Sequence, residues 1–387
     1  MLNATLLEGQ APLGIALSGG SDSTALLVLL VEQLGAHSLR ALTVNHGLRE
    51  AAAQEAEQAK GLCASLGVEH DTVTLDLQDG PDLQARARDA RYEALSTWAC
   101  EKGMSAIALG HTQDDVAETF LMRLARGSGV DGLAQMPDAF TRNGTHFLRP
   151  LLASKRVDLQ TLLRTHEITW SEDPSNSDPR FTRVQMRKAQ AQLDALGMTI
   201  ERLAQTAHWM RAASQVLEHA ADTWIANHAW AEHGDAVFDH AALRTAPEET
   251  ACRVLSRVLC GISGNPYRPR LNALNDLLHI ETATTLHGCL AYKYKGNLRI
   301  TQELNAITQQ NSRWTITGPL EPTHHIAPLG EMGIKHCKNW RETALLPRRS
   351  LLSSPAIWYK DQLIAAPLGD PRSEWSATTP NPLHLPN

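Results

Sequence analysis

The stretch SGGSDS contains the residue types that a phosphate-binding loop needs. Its members are Ser18, Gly19, Gly20, Ser21, Asp22 and Ser23. An apolar run at 13–17 precedes it and an aliphatic helix pattern at 23–35 follows it, so the loop should join a strand to a helix. Glycines let a ligand approach the backbone closely, and the free N–H groups of a helix N-terminus attract anions. We therefore predict a phosphate or pyrophosphate cradle; a tight turn with a Ser or Asp N-cap is the alternative.

Asp22 favours the cradle over the turn. A carboxylate beside a phosphate site is useful chiefly when Mg²⁺ lies between the two, because Mg²⁺ is held by carboxylate and phosphate oxygens. The pattern G-x-x-x-x-G-K-[ST] is absent from all 387 residues. The loop is therefore not the phosphate cradle of a P-loop NTPase.

Strand-like and helix-like segments alternate along the first part of the chain. The predicted strands are 13–17, 39–44, 69–75 and 105–109, and the predicted helices are 23–35, 51–66, 83–102 and 112–126. This alternation predicts the α/β class, with a doubly wound parallel sheet. The loops SGGSDS, NHGLRE and GHTQDD each follow a predicted strand. Because ligands of such sheets bind at the carboxyl ends of the strands, the three loops should meet at one binding edge.

The rest of the chain has a different residue pattern, from which we predict two further domains. We expect a catalytic domain over 1–190, a mainly helical domain over 191–305, and a small α+β domain over 306–387. The helical domain should close with a hairpin in YKYKGNLRI, with Gly296-Asn297 at its turn. The last domain is rich in proline and contains the strand-like segment AIWYKDQLIAAP.

Composition indicates a cytoplasmic protein without a membrane segment. The longest strongly apolar run, Ala25 to Val31, is too short to span a bilayer, and the first Lys or Arg is Arg40, unlike a signal peptide. The six cysteines form no C-x-x-C pair, which favours reduced thiols over a metal cluster or a disulfide framework. The net charge of −6 provides no global basic field, so a nucleic-acid partner would need local basic patches.

Two further patterns suggest sites that their context does not support. GSGVDG at 127–132 matches the dinucleotide motif G-x-G-x-x-G, but it follows a predicted helix instead of a strand. His324, His325, His336 and Cys337 could hold zinc, but their spacing matches no standard zinc pattern, and surface histidines are the favoured interpretation.

The loop SGGSDS resembles the SGGxDS signature of the PP-loop ATP pyrophosphatases. Together with it, VNHGLRE, ARARDARYEAL, LGHTQDDVAETFLMRLARGSGVDGLAQM and SEDPSNSDPRFTRVQMR are similar to the lysidine synthetases of that superfamily. The resemblance covers about the first 190 residues and returns in LPRRSLLSSPAIWYKDQLIAAPLG. It implies ATP as cosubstrate, cleaved between its α and β phosphates, and it places the loop at 127–132 in the wall of the active site.

The resemblance also implies roles for individual residues. Asp22 and Asp115 would hold Mg²⁺ and, with Arg91, would be catalytic. The residues expected to bind ATP are those of the loop 18–23 together with His46, Arg180 and Arg183, and Arg187 is a further candidate. The alternatives stay open: His46 could belong to a strand-end turn, Arg88 and Arg91 to a solvated helix face, and either Asp114 or Glu118 could simply complement a helix dipole.

For substrates, the resemblance implies the isoleucine tRNA with a CAU anticodon and free L-lysine. Lys and Arg outnumber Asp and Glu by eight to five over 149–188 and by five to one over 335–349, where phosphate contacts would be expected. A tRNA thiolase of the same superfamily is the nearest alternative, and the missing C-x-x-C pairs count against it. The sequence is compatible with a homodimer.

Overall fold

The computed structural model describes residues 2–45, 51–76, 80, 82–171, 182–308, 313–337, 339–371 and 374–383. The chain separates into two compact units, Met1–Ser214 and Gln215–Asn387. The predicted boundaries at 190 and 305 stay a prediction. Among the described residues, no helix is both long and apolar enough to cross a membrane.

The first unit is built on a six-stranded sheet. Its strands are β1 (Leu13–Ala16), β2 (Leu39–Asn45), β3 (Glu69–Thr74), β4 (Ala106–Ala108), β5 (Ala139–Arg142) and β6 (Thr145–Leu148). They lie in the order β3-β2-β1-β4-β6-β5, and all neighbours are parallel except the edge pair β5 and β6. The helices are α1 (Ser21–Leu34), α2 (Ala51–Leu66), α3 (Leu83–Lys102), α4 (Gln113–Leu124), α5 (Val130–Leu133), α6 (Arg156–Thr165), α7 (Thr182–Ala195) and α8 (Ile200–His228), of which α8 crosses the division between the units.

Helices cover both faces of this sheet, which confirms the doubly wound α/β prediction. Apolar residues of α1, α2 and α6 form one core with the strands, and residues of α3, including Leu95 and Trp98, form another on the opposite face. All four residues of β1 are buried, as expected for a parallel strand covered on both sides. The antiparallel edge hairpin β5–β6 was not predicted, although its turn, Asn143-Gly144, has the positive φ angles of a two-residue hairpin.

The second unit contains a five-stranded antiparallel sheet in addition to helices. The strands, in the order β7-β8-β11-β10-β9, are β7 (Ala229–Glu232), β8 (Asp235–Asp239), β9 (Thr284–Leu286), β10 (Cys289–Tyr294) and β11 (Asn297–Gln302). They pack with α9 (His240–Thr245), α10 (Glu248–Ser263) and α11 (Leu271–Leu278). The hairpin β10–β11 is confirmed, but the predicted turn was wrong by one residue. Tyr294 pairs with Asn297, so the turn is Lys295-Gly296, both at positive φ.

The C-terminal part of this unit combines short helices with two small sheets. The strands are β12 (Thr315–Thr317), β13 (His325–Pro328), β14 (Pro355–Tyr359), β15 (Gln362–Ala365) and β16 (Ser376–Thr378), and the helices are α12 (Gly330–His336), α13 (Trp340–Thr343) and α14 (Arg348–Ser353). β13, β14 and β15 form one antiparallel sheet, and β12 pairs with β16. The segment AIWYKDQLIAAP supplies β14 and β15, as its strand-like pattern predicted.

Candidate active site

The SGGSDS loop joins β1 to α1 and is folded mainly by the Ser23 hydroxyl. The Ser18 N–H donates to Ser23 Oγ at 3.1 Å, and Ser23 Oγ donates to the Gly20 carbonyl at 3.1 Å. Gly19 has a φ of +81°, a backbone conformation that residues other than glycine rarely adopt. Gly20 is the N-cap of α1, so the first N–H groups of this helix lie in the loop. The predicted junction of strand, glycine loop and helix is therefore present, and its binding of a phosphate stays a prediction.

A cavity of about 470 Å³ lies against this loop. The polar residues in its lining are Ser18, Ser21, Asp22, Ser23, Arg91, His111, Asp115, Arg156, Gln160, Ser171 and Arg187. Loops after β1 and β4 meet here, as expected for the carboxyl ends of parallel strands. His46 and Arg180 lie outside the described residues. The loop at 127–132 is not among the residues that line this cavity, and its place in the wall of the active site stays a prediction.

One arginine that the sequence did not single out joins three carboxylates. Arg156 contacts Asp22 through Nε at 2.9 Å, Asp115 through Nη2 at 3.3 Å, and Glu118 through Nη1 at 3.4 Å. These carboxylates come from α1 and α4, whereas Arg156 begins α6. Three carboxylates therefore contact one guanidinium that lines the cavity.

The two aspartates differ in their electrostatic surroundings. Burial raises the pKa of Asp22, and Arg156 offsets this only in part. Burial would also raise the pKa of Asp115, but Arg156 and a hydrogen bond from the Thr112 N–H hold it below its ordinary value. Oδ2 of Asp115 accepts from the N–H and the hydroxyl of Thr112, at 2.9 and 3.0 Å, as part of a capping box. Oδ1 is the oxygen that faces Arg156.

Glu118 is bound by further arginines. The side chain is buried, and Arg187 of α7 donates to both of its oxygens. Arg183, one turn earlier, lies 3.3 Å from Glu118 Oε2 through its Nε. These contacts tie α7 to α4, and they place Arg187 in the lining of the cavity. Arg183, predicted to bind ATP, pairs with Glu118 in this structure, and its role toward ATP stays a prediction.

Asp114 faces away from this cluster and caps a neighbouring helix. Its Oδ2 accepts a hydrogen bond of 2.8 Å from the backbone N–H of Arg156, the first residue of α6. Of the two acidic residues weighed in DDVAE, Asp114 therefore has a structural contact and Glu118 joins the arginine cluster. Successive residues of a helix point in different directions, so the neighbouring carboxylates of Asp114 and Asp115 make different contacts.

We expect Asp114→Ala to lower the free energy of unfolding by about 1 kcal/mol, because the α6 N-terminus loses its acceptor. Asp114→Asn keeps an acceptor oxygen and should cost less. The measurement is the urea midpoint of both variants and the parent chain. Equal midpoints for the two variants would contradict the capping role.

Arg91 and His111 also line the cavity, and Arg149 lies behind His111. Arg91 is half-buried on α3, and no hydrogen bond or ion pair joins it to another described residue. Nε of Arg149 donates to Nδ1 of His111 at 3.3 Å. Arg88 is exposed, lies over the Tyr92 ring at 5.5 Å, and does not line the cavity. Of the two predicted arginines, Arg91 is the one that can meet an anion here.

His111 should make stability depend on pH. Burial lowers its pKa from 6.5 to about 4; Asp115 opposes this shift, and Arg149, Arg91 and Arg88 add to it. Between these values the unfolded chain binds a proton that the folded chain does not, so stability is lost as the pH falls from 6.5 to 4.

We expect the free energy of unfolding of His111→Gln to fall by about 1–3 kcal/mol less than that of the parent chain when the pH is lowered over this range. The measurement is the difference in unfolding free energy between parent and variant at pH 7 and at pH 4. The exposed His146→Gln is the control. A difference that does not change with pH would contradict the buried neutral histidine.

The candidate zinc residues do not assemble. Among the described residues, which include all four, no group of three or more His, Cys, Asp or Glu side chains could hold a metal ion. Nδ1 of His324 accepts from the Glu321 N–H at 3.1 Å, and Cys337 is buried in an apolar core.

Comparison with known proteins agrees with this geometry. Residues 2–193 match the family model of the PP-loop domain, so the first unit is an ATP-utilising PP-loop domain. The tRNA(Ile)-lysidine synthase of Ruegeria pomeroyi is 37% identical, over 94% of this chain and 90% of its own. The tRNA(Ile)-lysidine synthase of Wolbachia pipientis wMel is 34% identical, over 80% of this chain and 74% of its own. That of Rhodopseudomonas palustris is 39% identical, over 68% of this chain and 79% of its own. The chain belongs to the tRNA(Ile)-lysidine synthase family, as its motifs predicted.

Proposed function

We propose that this ligase uses ATP to join free L-lysine to C2 of the wobble cytidine in the isoleucine tRNA with a CAU anticodon. The product would read AUA instead of AUG. The observation that carries the proposal is the cavity at the SGGSDS loop, whose lining combines the N-terminus of α1 and Arg91 with the carboxylates of Asp22 and Asp115. The family membership supplies the reaction.

The cradle and the basic residues suit the nucleotide. The α1 N-terminus offers backbone N–H groups, and the hydroxyls of Ser18 and Ser21 lie in the same lining. No described carboxylate forms an ion pair with Arg91. Its guanidinium can bind a phosphate with two hydrogen bonds. We therefore propose that the triphosphate of ATP binds here.

We include Mg²⁺ because Asp22 and Asp115 fit it. One cationic group, Arg156, already contacts both carboxylates, so both can face a single cation. Proteins commonly hold Mg²⁺ with one or two carboxylates, and nucleotide phosphates complete its shell. When bound, Mg²⁺ would neutralise charge on the phosphates and on the departing pyrophosphate.

The reaction requires two displacements. The C2 oxygen of cytidine attacks the α-phosphorus, the bond to the β-phosphate oxygen breaks, and pyrophosphate leaves. The ε-ammonium group of lysine first releases one proton to solvent, and the neutral ε-amine then attacks C2. The C2–O bond breaks, AMP leaves with the former C2 oxygen, and the nitrogen that is now bonded to C2 releases a second proton to solvent. Arg91 and the cradle stabilise the charge that develops on the phosphates. Asp115, whose pKa is held low, stays anionic and can attract the lysine cation into the cavity.

The wobble base must leave its stack to reach the α-phosphate, so the tRNA should enter by its anticodon loop. The basic excesses over 149–188 and 335–349 are the segments proposed to contact its phosphates. We propose a cytoplasmic enzyme, and the proposal does not depend on whether it forms a homodimer. A tRNA thiolase is less supported, because the similar proteins above are lysidine synthases and the chain has no C-x-x-C pair.

The test is lysine incorporation into a defined transcript. Purified protein is mixed with Mg-ATP, labelled lysine and the unmodified CAU isoleucine tRNA, and acid-insoluble label is counted. We expect label that disappears with Asp22→Ala and with a methionine tRNA. Pyrophosphate release that depends on another tRNA, without lysine incorporation, would overturn the substrate and keep the ATP chemistry.

A further inference from the structure

Arg149 is a buried cation that the proposed mechanism does not use. It follows β6, is 7% exposed, and does not line the cavity. Its guanidinium lies 4.2 Å from the centroid of the Phe140 ring, and its Nη1 donates to the Pro137 carbonyl at 2.6 Å. These contacts fix the guanidinium behind the cavity wall, where its Nε faces His111.

The contact between Arg149 and His111 determines where the imidazole carries its proton. A guanidinium has only hydrogen-bond donors, so Nδ1 of His111 must be the acceptor of the 3.3 Å contact. A neutral imidazole that accepts at Nδ1 carries its single proton on Nε2. The doubly protonated ring would direct an N–H at the N–H of Arg149. The contact therefore selects one of the three forms of the ring.

Building on the function proposed above, we propose that Arg149 is a positioning residue that holds His111 in the Nε2–H form, so that the ring offers a hydrogen-bond donor to an anionic oxygen of the bound nucleotide. His111 lines the same cavity as the cradle and Arg91. The other charged groups around its ring are Asp115 on α4, and Arg88 and Arg91 on α3. In this form the ring presents no lone pair to the cavity, so His111 acts as a donor and not as a general base.

The form of the ring can be observed without any substrate. Protein labelled with ¹⁵N in its 17 histidines is compared with His111→Gln, so that the missing signals identify His111. We expect a protonated Nε2 and a bare Nδ1 in the parent chain and in Arg149→Lys, which keeps a donor. Arg149→Met keeps the length of the side chain without a donor and should lose this preference. A protonated Nδ1 in the parent, or an unchanged tautomer in Arg149→Met, would overturn the proposal.

The kinetic test separates positioning from a structural role. Arg149→Met should lower tRNA-dependent pyrophosphate release about tenfold or more, and Arg149→Lys should recover most of it. In a His111→Gln background, Arg149→Met should cause no further loss, because its effect passes through the ring. Equal losses in both backgrounds would show a merely structural role. Because the tautomer is read without ATP, lysine or tRNA, failure of this proposal is distinguishable from failure of the proposed function.

Discussion

Asp115→Asn is expected to lower kcat/KM for lysidine formation by about 10²–10³-fold while the chain stays folded. The amide oxygen of Asn can still accept from the Thr112 N–H and hydroxyl, which now bond Oδ2 of Asp115, so the helix cap survives. At the position that faces Arg156, however, an NH2 group replaces the Oδ1 oxygen, and this group carries no negative charge and cannot bind a cation. The substitution therefore removes a ligand for a cation at the centre of the site and leaves the fold intact. Steady-state kinetics and the urea midpoint measure the two effects.

Asp114→Asn is the matched control, because it changes the same charge on the neighbouring residue of the same helix. Its carboxylate accepts from the Arg156 N–H and does not line the cavity. We expect activity within a few-fold of the parent. Comparable losses for the two variants would mean that the net charge of α4, and not the cavity-facing carboxylate, governs activity.

Gly110→Ala should damage the ATP site through the backbone. A Cβ at Gly110 would lie 2.9 Å from Ser23 N, 3.0 Å from Ser23 Cα and 3.1 Å from the Asp22 carbonyl carbon. These are backbone atoms of the first turn of α1, so the cradle itself must shift. We expect the KM for ATP to rise about 10- to 100-fold and the free energy of unfolding to fall by about 1–3 kcal/mol.

Gly129→Ala provides the comparison, since a Cβ there would have no atom within 4 Å. It should leave the KM for ATP and the urea midpoint close to those of the parent. An unchanged KM for ATP in Gly110→Ala would contradict the position of the nucleotide against this loop.

Local patterns predicted most of the first unit because burial on both sheet faces leaves a clear apolar signature. The strands at 13–17 and 39–44 and the helix at 51–66 agree with β1, β2 and α2 to within one or two residues. The edge hairpin β5–β6 was missed although Asn143-Gly144 is a strong turn signal. Apolar and polar residues alternate only weakly along its strands, because no residue of β5 is fully buried.

The functional residues show where prediction from local sequence patterns fails. The SGGSDS loop could be recognised because its chemistry is contiguous in sequence. Arg156 could not, since it lies 134 residues from Asp22 and belongs to no local motif. Likewise, Asp114 and Asp115 are adjacent, and only the direction of α4 shows that one caps α6 and the other faces the cavity. Tertiary contacts decide these roles, and no local pattern encodes them.

The most direct test of the central claim follows the C2 oxygen of the wobble cytidine. A CAU isoleucine tRNA carrying ¹⁸O at that position is converted with unlabelled ATP, lysine and Mg²⁺, and the AMP is analysed by mass spectrometry. If the cavity activates the base by adenylation, the label appears in AMP. Unlabelled AMP accompanying lysine incorporation would contradict the account, because ATP would then have been cleaved without attack by the base.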